Sequence, residues 1–320
     1  MKSRYFSVLM IIFLVLPGTM ITVKDAGARP PKKPKNIILF IGDGMGVAQV
    51  YGAMTASDNT FYLQQFPYSG FSITRSADNY TTDSAAGGTA IACGVKTNNG
   101  MIGVTPDSTA VPSITEIVSQ RGMATGILST SAITHATPAS FVAHNSGRGN
   151  YEDIALDFIK GIPDIFIGGG ENHFRSRKDG KDLAADLKTQ GYDVVYTIDE
   201  LMKSSSPRIA GLLAKEHMPT AIEGRAGALE SMVGKAIGTL SRDKDGFFLM
   251  VEGSMIDWGA HANDLNYTLA ETSDIDKAIG VALDFAMKNG ETLIVVTADH
   301  ETGGMTIIGK DEKTRSIEFL

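Results

Sequence analysis

Asn36-Ile37-Ile38-Leu39-Phe40-Ile41-Gly42-Asp43-Gly44-Met45-Gly46 is a continuous apolar run that breaks into a glycine-rich turn. Unbroken hydrophobicity with β-branched residues describes a strand buried on both faces, as in a parallel sheet. An Ala-rich, helix-like stretch follows. Strand, glycine turn and helix invite a dinucleotide-binding reading, but the spacing misses that fingerprint and Asp43 would set a carboxylate against a pyrophosphate. An acid at a strand's C-terminal end between glycines suits a cation; the plainer alternative is a turn aspartate capping the next helix.

The pattern repeats outward from this segment. Ala124–Thr130, Ile162–Gly170, Tyr192–Tyr196, Ile209–Leu213, Phe247–Val251 and Thr292–Thr297 read as strands. Ile114–Arg121, Gly227–Leu240 and Tyr267–Lys288 read as helices. Strands alternating with helices predict an α/β fold, a largely parallel central sheet flanked by helices on both faces. Residues around 160–225 are expected to form an inserted or peripheral region, and the charged segment Arg175–Lys181 a solvated loop and helix. Three of the apolar strands end in acids, at Asp43, Glu252 and Asp299. Ligands of open α/β sheets gather outside the carboxyl ends of strands, so three such acids imply one site.

Composition limits the function. The chain has 320 residues, 43% hydrophobic and 20% charged, with a net charge of −7. No basic surplus exists to neutralise nucleic-acid phosphates. Lys2 and Arg4 precede an apolar run, Phe6–Leu16, too short for a comfortable membrane span. Ala26-Gly27-Ala28 offers a small-x-small cleavage site, rather far from the apolar run, so residues 1–28 read as an export signal, with an uncleaved N-terminal anchor as the other reading, and 29–35 as a Pro/Lys linker. The catalytic domain is expected over 36–320, in the periplasm or secreted, with no stable membrane partner. Cys93 is the single cysteine, so no intrachain disulfide is available.

Chemistry-bearing residues lie in four further stretches. In Asn79-Tyr80-Thr81-Thr82-Asp83-Ser84-Ala85-Ala86-Gly87-Gly88 a polar lead-in meets small residues that can open a helix. Ser84 falls in its first turn, where free backbone N–H groups attract an anion and small neighbours admit a tetrahedral group. It is a candidate nucleophile if something lowers its pKa, and otherwise an N-cap. Asp257 and His261 share a face if their turn is helical. Asp299 and His300 are adjacent at a strand end. Carboxylates with neutral imidazoles suit zinc, whereas an oxygen set of Asp43, Glu252 and the Thr137 hydroxyl suits magnesium.

Taken together, Gly42-Asp43-Gly44-Met45-Gly46, Thr82-Asp83-Ser84-Ala85-Ala86, Ala136-Thr137-Pro138-Ala139, Val251-Glu252-Gly253 with Asp257 and His261, and Thr297-Ala298-Asp299-His300 resemble the alkaline phosphatase family, in order, from about Asn36 to Gly304. The resemblance implies a phosphate-monoester hydrolase working through a phosphoserine on Ser84. It implies two Zn2+ and one Mg2+: Asp43, Asp299 and His300 on the zinc that activates the serine, Asp257 and His261 on the other zinc, and Asp43, Thr137 and Glu252 on magnesium. Arg148 falls where the family places its phosphate clamp. His135, beside Thr137, is expected to support the site without ligating. Substrates are expected to be small phosphomonoesters, with inorganic phosphate as product, and the enzyme a homodimer.

Two departures qualify these expectations. Trp258 stands where some relatives have Lys or His reaching toward phosphate. The family also supplies a zinc-ligating histidine downstream of the Asp-His pair, and no histidine follows His300. The second zinc site is therefore incomplete, and a chain cut short after Leu320 is the expectation. A phosphodiesterase of the same superfamily, or an impaired metal- and phosphate-binding relative, are the other readings.

Overall fold

In the computed structural model, residues 33–57, 60–310 and 317–319 are described; the expected export signal lies outside them. The opening run forms β1 (Asn36–Gly42). The chain continues through α1 (Val47–Ala56), α2 (Ser84–Cys93), α3 (Ile114–Ser119), β2 (Ala124–Ala132), α4 (Ala136–Ala139), α5 (Tyr151–Phe158) and β3 (Ile165–Gly169). Then come α6 (Glu171–Arg175), α7 (Leu183–Thr189), β4 (Asp193–Val195), α8 (Ile198–Lys203), β5 (Ile209–Leu212), α9 (Ala228–Leu240) and β6 (Phe247–Gly253). The last elements are α10 (Met255–His261), α11 (Leu265–Asn289), β7 (Thr292–Ala298), β8 (Ile307–Lys310) and β9 (Ile317–Phe319).

Strands β1 to β7 make one sheet in the order β4-β5-β3-β2-β6-β1-β7, with every pairing parallel. β8 and β9 form a separate antiparallel pair. The 160–225 stretch supplies β3, β5 and β4, one flank of the main sheet. Within its charged part, Arg177 departs from the solvated expectation: its side chain is buried, with Asp179 and the His173 carbonyl as partners.

Because side chains alternate across a strand, each central strand feeds two cores. Leu39 and Ile41 of β1, with Phe248 and Met250 of β6, pack on one side among residues of α2, α4 and α5. Ile38 and Phe40, with Phe247, Leu249 and Val251, pack on the other against α9 and α11. The buried stripe of α9 follows helical spacing through Leu229, Met232, Val233, Ala236, Ile237 and Leu240. The carboxylate of Asp264 accepts from Tyr267 N to cap α11, and Gly290, at φ +71°, ends it in the left-handed conformation. Helices therefore cover both faces, as the alternation of the sequence implies.

Parallel register brings the C-terminal ends of β1, β6 and β7 level. Ile41 lies beside Glu252 and Thr297, and Gly42 beside Gly253 and Ala298. The acids at the strand ends are thereby delivered to one edge of the sheet.

On the flank, Phe166 is fully buried among Phe158, Phe174 and Tyr192, with ring centroids 5.1, 6.0 and 5.6 Å away. Phe166→Ala is expected to cost about 3–5 kcal/mol of unfolding free energy through the cavity it leaves. Urea denaturation checks this; a midpoint unchanged from wild type would contradict the packing.

Candidate active site

Asp43 follows β1 and is completely buried. Gly46, not a side chain of the turn, is the N-cap residue of α1, so the capping alternative for Asp43 is discarded. Ser84 is the first residue of α2, and Asp83 is its cap, accepting from Ala86 N at 3.0 Å. That leaves the Ser84 hydroxyl free for other work. Its Oγ lies 3.4 Å from Asp43 Oδ1 and 3.3 Å from His300 Nε2. His300 Nε2 is in turn 3.6 Å from Asp43 Oδ1 and 3.3 Å from Asp299 Oδ2.

Small residues permit this approach. A Cβ on Gly87 would stand 3.1 Å from the Asp299 carbonyl oxygen, and one on Gly88 would stand 2.9 Å from Ser140 Oγ. The Ala/Gly composition of α2 therefore lets the helix close on the strand-end acids.

Two donor groups result. One atom each from Asp43, Asp299 and His300 lie within 4.8 Å of one another, and so do atoms from Asp43, His135 and Glu252. His135, expected only to support the site, stands inside the second group. Burial and the Arg148 charge push its imidazole down to about 3, so the ring is neutral. Thr137, at the start of the short helix α4, is fully buried beside it. Asp257 and His261 fall on α10, one turn apart, with His261 Nε2 3.4 Å from Asp257 Oδ1. The sequence-derived helical face is thus present.

The acids are held by one oxygen each. Glu252 Oε2 accepts from Ser129 Oγ and Ser254 Oγ, both at 2.6 Å. Asp299 Oδ1 accepts from Gly44 N at 3.2 Å and His300 N at 2.9 Å. Their other oxygens, Glu252 Oε1 and Asp299 Oδ2, are buried without hydrogen-bond partners, as are Asp43 Oδ2, Thr137 Oγ1 and His135 Nδ1. Unsatisfied buried acceptors are costly, and this concentration of them fits bound cations. The chemistry of the donors fits zinc or magnesium.

Electrostatics agrees. Desolvation, then repulsion from Asp299, Asp257 and Glu252, lifts Asp43 well above the usual carboxylate range. Burial pushes Glu252 up to about 7, although the two serines oppose the rise, and burial also raises Asp299.

A cavity of about 430 Å³ opens over this cluster, lined by Ser84, Arg148, Asp257, His261 and His300 among others. Arg148 Nη1 is 2.9 Å from Asp83 Oδ2, which also accepts from Gly100 N at 2.9 Å. Asp83 is thus a residue the sequence reading passed over: it caps the serine helix with one oxygen and holds the arginine with the other. An acid directly before an Ala/Gly helix is a legible cap signal; its grip on Arg148, 65 residues away, is not. Trp258 leans on the His217 and His135 rings, with centroids 4.6 and 5.9 Å away. His144, His173 and His217 take structural partners: Glu116, Thr134 and the Ala132 amide, respectively.

A serine opening a helix, faced by two donor sets at the carboxyl edge of a parallel sheet, defines a metal-dependent α/β site. The alkaline phosphatase family model matches residues 34–317, and the chain belongs to that family. It is 38% identical over 307 residues to alkaline phosphatase 3 of Bacillus subtilis, an alignment spanning 89% of this chain and 66% of the relative. It is 41% identical over 301 residues to alkaline phosphatase 4 of the same organism, spanning 89% and 65%. The chain thus spans just under two thirds of the length of these curated relatives. Among solved structures, the alkaline phosphatase of the Antarctic bacterium TAB5 superposes with a TM-score of 0.85 at 46% identity, covering 90% of this chain and 87% of that one. A histidine-to-glutamate variant of that enzyme, also at TM-score 0.85, is described with Mg bound in a site termed M3; it is 44% identical, covering 91% and 87%.

The raised carboxyls make the metal-free protein pH-sensitive. A folded-state pKa above the unfolded one means the native chain holds its proton more tightly. That contribution is complete below the ordinary Glu value of 4.5 and is lost as pH rises through about 7. Chelator-treated protein is expected to melt lower at about pH 8 than at about pH 5, and divalent cation to reverse the loss. A melting temperature that rises over this interval would contradict the clustering.

Proposed function

We propose that this chain is an exported phosphate-monoester hydrolase, an alkaline phosphatase acting through a phosphoserine on Ser84 with two zinc ions and one magnesium ion. The observation that carries the reading is the position of Ser84: buried, at the first turn of α2, within 3.4 Å of one donor set and opening to the Arg148 cavity. Asp43, Asp299 and His300 would hold one zinc, and Asp257 with His261 would hold the other. Asp43, Glu252 and Thr137 would hold the magnesium. His135 adds a neutral nitrogen beside this last set.

Residue roles follow from the geometry. The substrate phosphoryl group enters with its oxygens toward Arg148, whose planar guanidinium can engage two of them. Asp83 fixes that guanidinium by its other edge. Ser84 Oγ loses its proton to solvent and forms the new O–P bond while the ester P–O bond breaks, and the departing oxygen takes a proton from solvent to leave as the alcohol. Water then cleaves the Ser84 O–P bond and releases inorganic phosphate. Cations held by these residues would supply positive charge that lowers the serine pKa and stabilises the leaving oxygen. The positive clamp on a dianionic group favours monoesters.

Export is inferred from the charged start and apolar run of residues 2–16; among the described residues, no helix is long and apolar enough to cross a membrane. A homodimer is inferred from the family relationship, and light scattering reads it directly.

Turnover of a phosphomonoester by the full chain across a zinc titration tests the central reading. Activity is expected to saturate with zinc and to vanish in Ser84→Ala while metal remains bound; full activity in that variant would overturn the mechanism. Separately, Asp83→Ala is expected to weaken competitive inhibition by inorganic phosphate about tenfold, roughly 1.4 kcal/mol, by releasing Arg148. An unchanged inhibition constant would show that the arginine needs no such partner.

A further inference from the structure

Thr302 is only 6% exposed, and its hydroxyl lies between residues of the two proposed zinc sets. Thr302 Oγ1 is 2.5 Å from Asp257 Oδ1 and 3.1 Å from His300 Nδ1. We propose that Thr302 is a positioning residue that ties one ligand of each zinc site to the other and fixes which atoms of His300 and Asp257 face the metals. This role rests on the functional reading above.

The proton inventory leaves one arrangement. A hydroxyl has one proton to give and lone pairs to accept with; an ionised carboxylate only accepts. The Thr302 proton therefore goes to Asp257 Oδ1, and the hydroxyl accepts from His300 Nδ1–H. The Glu301 carbonyl oxygen, 3.2 Å from the same nitrogen, can also only accept, which places the ring proton on Nδ1 twice over. His300 Nε2 is left with its lone pair, aimed at the side where Ser84 Oγ, Asp43 Oδ1 and Asp299 Oδ2 converge. A ligating histidine held by its other N–H has its tautomer and ring orientation set by that partner.

The hydroxyl is itself fixed from below. Gln49, fully buried on α1, donates from Nε2 to the Thr302 carbonyl oxygen at 2.7 Å and to Glu301 Oε1 at 3.3 Å. Gly44, at φ +71°, closes over the bridge: a Cβ there would stand 2.8 Å from Asp257 Cα and 2.9 Å from Thr302 Oγ1. Gly303, at φ +84°, lies so close to α10 that a Cβ would meet the Ala260 carbonyl oxygen at 2.7 Å. The first turn of α1, the β1 loop and α10 all converge on Thr302 and its neighbour Gly303.

The test is zinc affinity of the full chain, read by competition with a chromophoric chelator. Thr302→Val keeps the shape and removes the hydroxyl; both zinc affinities are expected to fall about tenfold or more. Thr302→Ser restores the hydroxyl and is expected to bind within about twofold of wild type. Wild-type affinities at both sites in Thr302→Val, or a loss confined to one site, would overturn the bridge while leaving the phosphatase reading standing. A wild-type chain that binds no zinc would remove that reading and the bridge together. Should Thr302→Val fail to fold, the metal-free wild type decides the matter by 1H–15N correlation of its histidine rings. His300 protonated on Nδ1 supports the bridge, and His300 protonated on Nε2 overturns it.

Discussion

Four carboxylates, Asp43, Glu252, Asp257 and Asp299, are buried against one another at the end of the sheet, and their repulsion is the constraint that the rest of the molecule must satisfy. Three aligned strand ends and the helical turn of α10 force them together, and neither burial nor like charge favours the arrangement. Arg148 offsets part of the charge on Asp43 from across the cavity. The remainder suits cations, and the unpartnered oxygens are available to hold them. An apolar core alone would never collect these groups. It is the stiffness of a parallel sheet packed on both faces that holds them in place.

The same economy governs each donor. Glu252 and Asp299 each spend one oxygen on the protein and leave the other free. His300 divides its two nitrogens in the same manner, with Nδ1 bonded toward the chain and Nε2 facing Ser84. Serines at 129 and 254, a glycine amide and a threonine hydroxyl do the holding, so these donors are oriented by groups that carry no charge.

Much of this was legible in sequence because the strongest signals are local. The apolar run 36–41 is a strand because it contains nothing else, and the acid after it stands out against glycines. Asp257 and His261 are four apart, and helical geometry does the rest. Sequence order, in contrast, says little about partners brought together by folding. Ser129 looks like an ordinary strand residue until β2 lies beside β6, where it is level with Glu252. Thr302 follows the Asp-His pair without any periodicity to mark it. His135 was placed near the site by its neighbour Thr137, but whether its ring faces inward depends on the turn after β2, which no spacing encodes. Arg177 misleads in the opposite direction: a basic residue in a charged stretch reads as solvated, yet its donors find backbone carbonyls indoors.

The residues of the site run from Asp43 at one extreme to Thr302 at the other, and most of the helices and strands lie between them in sequence. No short contiguous fragment contains the set, so the site exists only when nearly the whole domain is folded. Its formation requires contacts between residues far apart in the chain, and each such closure costs chain entropy. Cations held there would be linked to the global equilibrium between folded and unfolded protein. A metal held by such a site would accordingly stabilise only the completely folded domain, and its scarcity would be felt first as lost stability of the native state.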